Sequence, residues 1–370
     1  MPKNNFHDFR VDDVAIRYSD FAPRLFNFCL SIGMQPHRIM PSRAFCSDEN
    51  QGYPIILIAK HFGSFPFNHG RVGGIVATDR HGPHAHHGKD VVLIQASHVG
   101  YNPETQAFGV YRRIHTENQE LSSDCGAICG LLQWYKEEHS FAQQQISIGL
   151  DGEKPIVIID NQLLKEDREE GLFLNLDQMI DHHEIVRSYS TAKSFYAAEQ
   201  FVKRVGSKWP DKKTAIGEKL FSELFRFKNK SDNMLASGLL NRNLLNAMPK
   251  IITSKHPELT AAQINAQMEF DRTFRTIVKE KSYQGKKVVF VSGIHIDVSP
   301  NENQLFPLTK FVPWAAYIQN EDGSGYTLEQ TELHNTLMQQ SKENPHKIDL
   351  TEAIHKMEKE PEILLHVDKN

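Results

Sequence analysis

Four apolar runs along the chain are continuous rather than alternating: "YPIILIA" (Tyr53 to Ala59), "VVLI" (from Val91), "PIVII" (from Pro155) and "VVFV" (from Val288). Continuous runs of four to eight apolar residues fit strands buried on both faces, as in a parallel sheet. The pattern therefore predicts buried strands at "YPIILIAKHF", "KDVVLIQASHVGY", "KPIVIID" and "GKKVVFVSGIHIDVSP". Between the first two, Gly63 to Gly88 holds too many glycines for a long helix. "NPET" reads as a turn and "QAFGVYRRIH" as an antiparallel return strand. Asp12 to Gly33 shows helical spacing, broken by Pro23 and stopped by Gly33. "LSSDCGAICGLLQWYKEEHS" reads as a helix entered through Ser122, Ser123 and Asp124, with Ala127, Leu131, Leu132 and Tyr135 on its apolar face. From about Glu166 to Lys281 the pattern predicts mainly helix, with breaks at Pro210 and Pro249 and a helix start at "DHHEIV" (Asp181 to Val186). The polar tail beyond about Asn320 predicts amphipathic surface helices. The segments "DVVLIQASHVGYNP" and "KVVFVSGIHIDVSP" echo each other, as two strands ending at the same edge of one sheet would.

Composition adds limits. A chain of 370 residues, 39% hydrophobic and 24% charged, builds a substantial α/β core. The net charge of -4, with both signs mixed, argues against a nucleic-acid or polybasic membrane surface. The apolar runs are too short to span a bilayer, and "MPKNNFHDFR" does not resemble a secretory signal, so the expectation is a cytoplasmic protein without membrane or nucleic-acid partners. Four cysteines (Cys29, Cys46, Cys125 and Cys129) do not make a disulfide scaffold in a chain this long. The 19 histidines are roughly twice the usual share and crowd into the first half, notably "DRHGPHAHHGKD".

Those residues suggest one constellation. "RAFCSDENQG", "ASHVGY" and "SSDCGA" supply Cys46, His98 and Cys125, the thiolate and imidazole donors that zinc prefers. His98 falls near the C-terminal end of a buried strand, where open α/β sheets collect ligands. Cys125 falls at a helix N-terminus, which favours a thiolate. Asp48 lies two residues beyond Cys46 and is placed to act on a water. Taken singly, each of the three donors also fits plain core packing, and the spacing contains no CxxC pair. Cys129 reads as core. "HFGSFPFNHGRVGG" lacks a Walker lysine and GxGxxG spacing. Glu104 and Glu117 have no evident partner.

"AHHGKDVVLIQASHVGYNPETQAFGVYRR" followed by "LSSDCGAICG" resembles the limiting-CO₂-inducible (LCIB-like) proteins, the theta-class carbonic anhydrases. Cys46-Ser47-Asp48-Glu49 and Ala85-His86-His87 match two further motifs of that family, and "SGIHIDVSPNENQLFPLTKF" looks like its late strand. The resemblance implies a fold similar to beta-class carbonic anhydrases, an α/β architecture whose mixed sheet has a mainly parallel core flanked by helices. On that reading residues 1–40 are an N-terminal helical segment, 41–318 the domain proper with a helical stretch at about 166–281, and 319–370 a helical tail. It implies Zn²⁺ on Cys46, His98 and Cys125, reversible hydration of CO₂ to bicarbonate by a zinc-bound hydroxide, and a homodimer. Asp48 would orient the hydroxide, and His87, with His81, His84 and His86 nearby, would pass its proton to solvent. Two positions depart from the pattern. Asn50 stands where the beta-class motif has the arginine that holds the aspartate, leaving Arg112 or Arg113 as replacement, with Arg112 expected on the core side beside Phe108 and Val110. Ala96-Ser97 stands where the family has Gly-Pro. The missing arginine motivates the alternative of a catalytically silent zinc protein acting through its surfaces. A zinc hydrolase acting on esters or amides is a third reading.

Overall fold

The computed structural model describes residues 9–77, 89–112, 120–229, 237–301, 304 and 307–361. The elements that place the site are, in chain order, α1 (Tyr18–Ser31), β1 (Ile39–Ala44), α2 (Gly52–Phe62), β2 (Asp90–Asn102) and α3 (Gly126–Gln145). There follow β3 (Ile146–Asp151), β4 (Lys154–Asp160), β5 (Ile180–Ser188), β6 (Ala192–Ala197), α4 (Pro257–Lys279), β7 (Val288–Val298), β8 (Leu308–Gln319), α5 (Gln330–Gln339) and α6 (Leu350–Lys359).

Val91 to Ile94 is apolar throughout because β2 is the middle of the main sheet and is covered on both faces. The strands lie in the order β8, β7, β2, β1. β7 pairs β2 in parallel, β2 pairs β1 in parallel, and β8 runs antiparallel to β7. Ile16–Arg17 extends the sheet beyond β8 and Phe67–Asn68 extends it beyond β1. Alternate residues sort by face, as the strand's two-residue period requires. Val92, Ile94, Ala96, Val289 and Val291 join the core built by α1, α2 and α5. Val91, Leu93, Val288 and Phe290 pack with Phe270 and Ile277 of α4. The mixed sheet with a parallel core and flanking helices is the one expected from the resemblance. The two echoing segments are adjacent parallel strands in register, with His98 opposite His295.

A second sheet is wholly antiparallel, ordered β5, β6, β4, β3 and then Thr214–Ala215. It shares a core with α3 and α4. "KPIVIID" is therefore a strand, as its composition suggested, but of this sheet rather than the parallel one.

Several expectations need correcting. "YPIILIA" is part of the helix α2, not a strand. Pro54 falls in the first turn, where its missing N–H removes no bond. Gly63 closes the helix at φ 77°, its N–H reaching the Ala59 carbonyl at 3.0 Å. A short apolar run has no period by which to separate buried helix from buried strand.

Apart from the short helix Glu199–Val205, the stretch 166–281 is mainly helical only from Ser237 onward. Gly171–Leu174, β5, β6, Thr214–Ala215 and Phe225–Lys228 occupy the first part, and "DHHEIV" lies in β5. Phe225 and Phe227 are buried while Arg226 and Lys228 are exposed, a two-residue alternation that marks a strand. Pro249 opens the helix Met248–Ile252 rather than ending one. Pro23 lies inside α1, near enough to its start to remove one backbone bond without breaking the helix. Among the described residues no helix is long and apolar enough to cross a membrane.

Candidate metal centre

Three elements deliver the three donors. Cys46 follows β1, and the Gly73 N–H donates to its sulfur at 3.2 Å. That loop sits tight against β2: a Cβ on Gly74, at φ +73°, would lie 2.4 Å from the Ala96 carbonyl oxygen. The glycines of "HGRVGG" thus serve close packing beside the cysteine. His98 is the ninth residue of β2, on the face that turns toward α2. Cys125 caps α3 at φ 53°, ψ 71°, a left-handed conformation that costs a non-glycine residue about 1 kcal/mol or more. Strand β2, the turn after β1 and the start of α3 thereby bring one ligand atom each from Cys46, His98 and Cys125 within 4.8 Å of one another. The exposures are 5%, 0% and 1%, so the cluster is closed off from solvent within this chain.

The His98 ring is held from one side. Its Nδ1 lies 2.9 Å from Asp297 Oδ2 and 3.6 Å from Asp124 Oδ2. Among the described residues its buried Nε2 has no hydrogen-bond partner. A buried polar atom without a partner is costly, and here it accompanies two sulfurs close enough to share one ion with it. The donor set, two thiol sulfurs and one imidazole nitrogen, fits zinc, and the carboxylate behind the ring completes the usual carboxylate–histidine–zinc order.

The support extends further. Asp297 also accepts from Gln51 Nε2 at 2.8 Å and from Thr309 Oγ1 at 3.0 Å. Gln51 Oε1 lies 2.6 Å from His295 Nδ1, which makes that nitrogen the donor, and the His295 ring packs among Tyr18, Phe45 and Phe311. Asn50 Nδ2 donates to Asp124 Oδ1 at 2.7 Å.

The electrostatics match a site prepared for a cation. A hydrogen bond from Cys125 outweighs burial and draws the Cys46 thiol down to about 3, with help from His98. The proton that makes this bond stays on Cys125, whose pKa is raised, first by that bond and then by burial. Burial works against a charged His98, but Cys125, Asp124 and Asp297 prevail and hold its pKa well above the usual histidine value. Burial pushes Asp297 up to about 7, with the Asp124 charge adding to it and the His98 bond opposing. Burial and the charge of His98 push His295 well below the usual range.

Cys46, His98 and Cys125 thus come together, whereas the other expected site residues fare differently. Asp48 is half-buried and starts the turn before α2, its carboxylate accepting from the Asn50 N–H at 3.3 Å. Arg112 does not hold it: its guanidinium pairs with Glu104 at 2.7 Å. The cause is Gly109, at φ +82°, which splits the expected return strand. Ala107–Phe108 pairs with β2, while Val110–Arg112 pairs with Leu121–Ser123. Tyr111, rather than Arg112, takes the buried position. Glu104 therefore has a partner after all. Asn50, standing for the arginine of the beta-class motif, turns to Asp124. Cys129 is only half-buried, its thiol lying 3.2 Å from the Asp124 carbonyl, and burial raises its pKa to about 11. His81, His84, His86, His87, Arg113 and Glu117 lie outside the described residues.

Sequence reading missed Asp297, Asp124, Gln51 and Thr309. Asp124 was visible only as a helix-capping residue. Asp297 carried one signal, its place two residues after the echoed histidine.

Fold and donors together define a mixed α/β protein with a buried Cys–His–Cys cluster able to hold a metal ion. No protein-family model matches the sequence, and no curated protein matches it. Among solved structures the chain is similar to PtLCIB4, a homolog of the limiting CO₂-inducible protein LCIB, at 12% identity and a TM-score of 0.50, over 86% of this chain and 95% of that one. It is similar also to LCIB, at 12% identity and a TM-score of 0.46, over 89% of this chain and 100% of that one. The chain has an LCIB-like fold, and at this identity the likeness is one of fold.

Proposed function

We propose that the chain is a zinc-dependent lyase that hydrates CO₂ reversibly to bicarbonate. The observation that carries the reading is the convergence of Cys46, His98 and Cys125 with the buried His98 Nε2 left without a partner. A fold shared with a homolog of the limiting CO₂-inducible protein LCIB supports a role in CO₂ handling. Zinc bound here would supply a Lewis acid that brings the pKa of water toward about 7.

The chain's own residues do the rest. Asp297 takes the Nδ1 proton of His98 in a hydrogen bond, which keeps the Nε2 lone pair turned to the centre. Cys46 and Cys125 share a hydrogen bond whose proton a bound cation would displace. Asp48, two residues from Cys46, is the carboxylate proposed to orient the attacking water, and His87 the group proposed to carry its proton to solvent. A cytoplasmic homodimer belongs to this proposal.

One observation favours a second reading, a structural zinc in a catalytically silent protein. All three donors are buried, and neither Arg112 nor Asn50 serves Asp48 through its side chain, since Arg112 pairs with Glu104 and Asn50 with Asp124. Zinc per chain by elemental analysis, in the protein and in Cys125→Ser, comes first, followed by stopped-flow CO₂ hydration. Zinc near one per chain, lost in the variant together with a hydration rate above buffer, supports the lyase. A zinc-loaded chain with no rate above buffer overturns it and leaves the structural ion.

A further inference from the structure

The C-terminal edge of the main sheet opens into a cavity that the metal cluster does not line. Its volume is about 960 Å³, and its walls include Tyr101 at the end of β2, Ile296 and Val298 of β7, and Leu308 at the start of β8. Open parallel sheets bind their ligands at this edge, and the volume suits a small organic molecule.

Its charge is one-sided. Arg17, Lys255 and Lys310 line it against a single carboxylate, Asp12, which leaves three cations less one anion, a surplus of two. Among the described residues none of the three cations has a carboxylate partner. Arg17 and Lys310 are moreover directly opposite each other across the antiparallel pairing of Ile16–Arg17 with β8. Like charges in that position repel and weaken the pairing, and an anion between them would relieve the repulsion. The helix α4 adds its N-terminal cap residue, His256, to the same cavity, with the positive end of a 23-residue helix behind it.

The remainder of the wall is aromatic. Phe108 stands between Tyr101 and His256, with ring centroids 4.8 Å and 5.1 Å away. Tyr18 lines the inner wall, and its buried hydroxyl has no hydrogen-bond partner. Thr309, also on the wall, donates to the Asp297 carboxylate that holds His98.

We propose that this cavity binds an organic phosphate. The Arg17–Lys310 pair takes the phosphate, whose dianion matches the surplus charge, and the Tyr101, Phe108 and His256 rings receive a flat or apolar portion. CO₂ and bicarbonate need neither the space nor the surplus charge, so the site is separate from the proposed lyase chemistry and does not depend on it.

The test is isothermal titration calorimetry of the purified full chain with AMP and with inorganic phosphate, at about 25 mM salt so that surface charges are little screened. AMP is expected to bind with a Kd below about 1 mM, at least about tenfold tighter than inorganic phosphate. Lys310→Glu is expected to weaken AMP by about tenfold or more while zinc content holds and the unfolding temperature is kept or raised, since the repelling pair becomes an attracting one. No AMP binding at about 10 mM, or equal affinity in Lys310→Glu, overturns the site. Inorganic phosphate binding as tightly as AMP overturns the organic part of the assignment.

Discussion

Replacing Asp297 by asparagine isolates the support behind His98, the histidine of the candidate metal centre. The carboxylate receives three hydrogen bonds, from His98 Nδ1 at 2.9 Å, Gln51 Nε2 at 2.8 Å and Thr309 Oγ1 at 3.0 Å. Asparagine keeps the volume and one oxygen. If that oxygen faces His98 and Gln51, the new amide meets Thr309, whose hydroxyl can turn and accept. The fold therefore loses little, and the ring keeps a partner but not a charged one. Removing such a carboxylate lowers metal affinity by about 10- to 100-fold, or about 1.4–2.7 kcal/mol. The assay is zinc competition against a chelating dye at neutral pH, with thermal unfolding of the metal-free protein run beside it. The expected result is weaker zinc binding with metal-free unfolding shifted by only a few degrees. Wild-type zinc affinity in a folded Asp297→Asn chain would refute the argument that Asp297 presents His98 Nε2 to the ion.

Other perturbations read other parts of the same region. Asn50→Ala removes the amide that donates to Asp124 Oδ1, so urea unfolding should show a loss of about 1–3 kcal/mol; an unchanged midpoint would mean the carboxylate is not dependent on Asn50. Gly74→Ala forces a Cβ to 2.4 Å from the Ala96 carbonyl at a φ of +73°, and is expected to lose about 1–3 kcal/mol or more together with zinc content, because Gly73 and its bond to Cys46 shift with it. Burial holds His69, 2% exposed and bonded to Ser42 Oγ, down to about 3. The unfolded chain protonates this ring near 6.5 and the folded chain only near 3, so between those values the unfolded state holds one more proton and stability falls as the pH falls, by at most about 1.4 kcal/mol per unit. His69→Gln should flatten the plot of urea midpoint against pH across that window, and an unaltered slope would rule the ring out as its source.

The strands of the parallel core were legible because burial on both faces leaves a continuous apolar run, as in Val91 to Ile94. The same logic misled at Tyr53 to Ala59. There the deciding features were Pro54 in a first turn and Gly63 in a left-handed cap, both outside the hydrophobic pattern. Outside the main sheet the strands are short, two to nine residues, and their alternation is visible in "FRFK" only once a partner strand is known. Arg112 failed for a single backbone reason. Counting alternate residues from Phe108 assumes an unbroken strand, and Gly109 breaks it, so the side of the sheet changes at that residue.

The metal donors and the ring around them differ in legibility because of their chemistry. Zinc selects sulfur and imidazole, and a chain with four cysteines offers few ways to combine them with a histidine at a sheet edge. The supporting residues are Asp, Asn, Gln and Thr, types that occupy surfaces throughout the chain. What sets them apart is whom they meet: Asn50 reaches Asp124 across 74 residues, His98 reaches Asp297 across 199, and Gln51 reaches Asp297 across 246. The parallel pairing of β2 with β7 makes the meeting of His98 with Asp297 possible, since it sets His98 opposite His295 and leaves Asp297 two residues farther along. His295 then serves the site without binding the ion. Pairing with Gln51 fixes the amide, and the fixed amide holds the carboxylate that holds His98. The second histidine of the echo thus works as a positioning residue, which predicts that His295→Phe leaves the strand pairing intact while weakening zinc binding less than Asp297→Asn does. The same zinc competition measures it, and a loss in His295→Phe as large as or larger than that in Asp297→Asn would place His295 in direct contact with the ion instead.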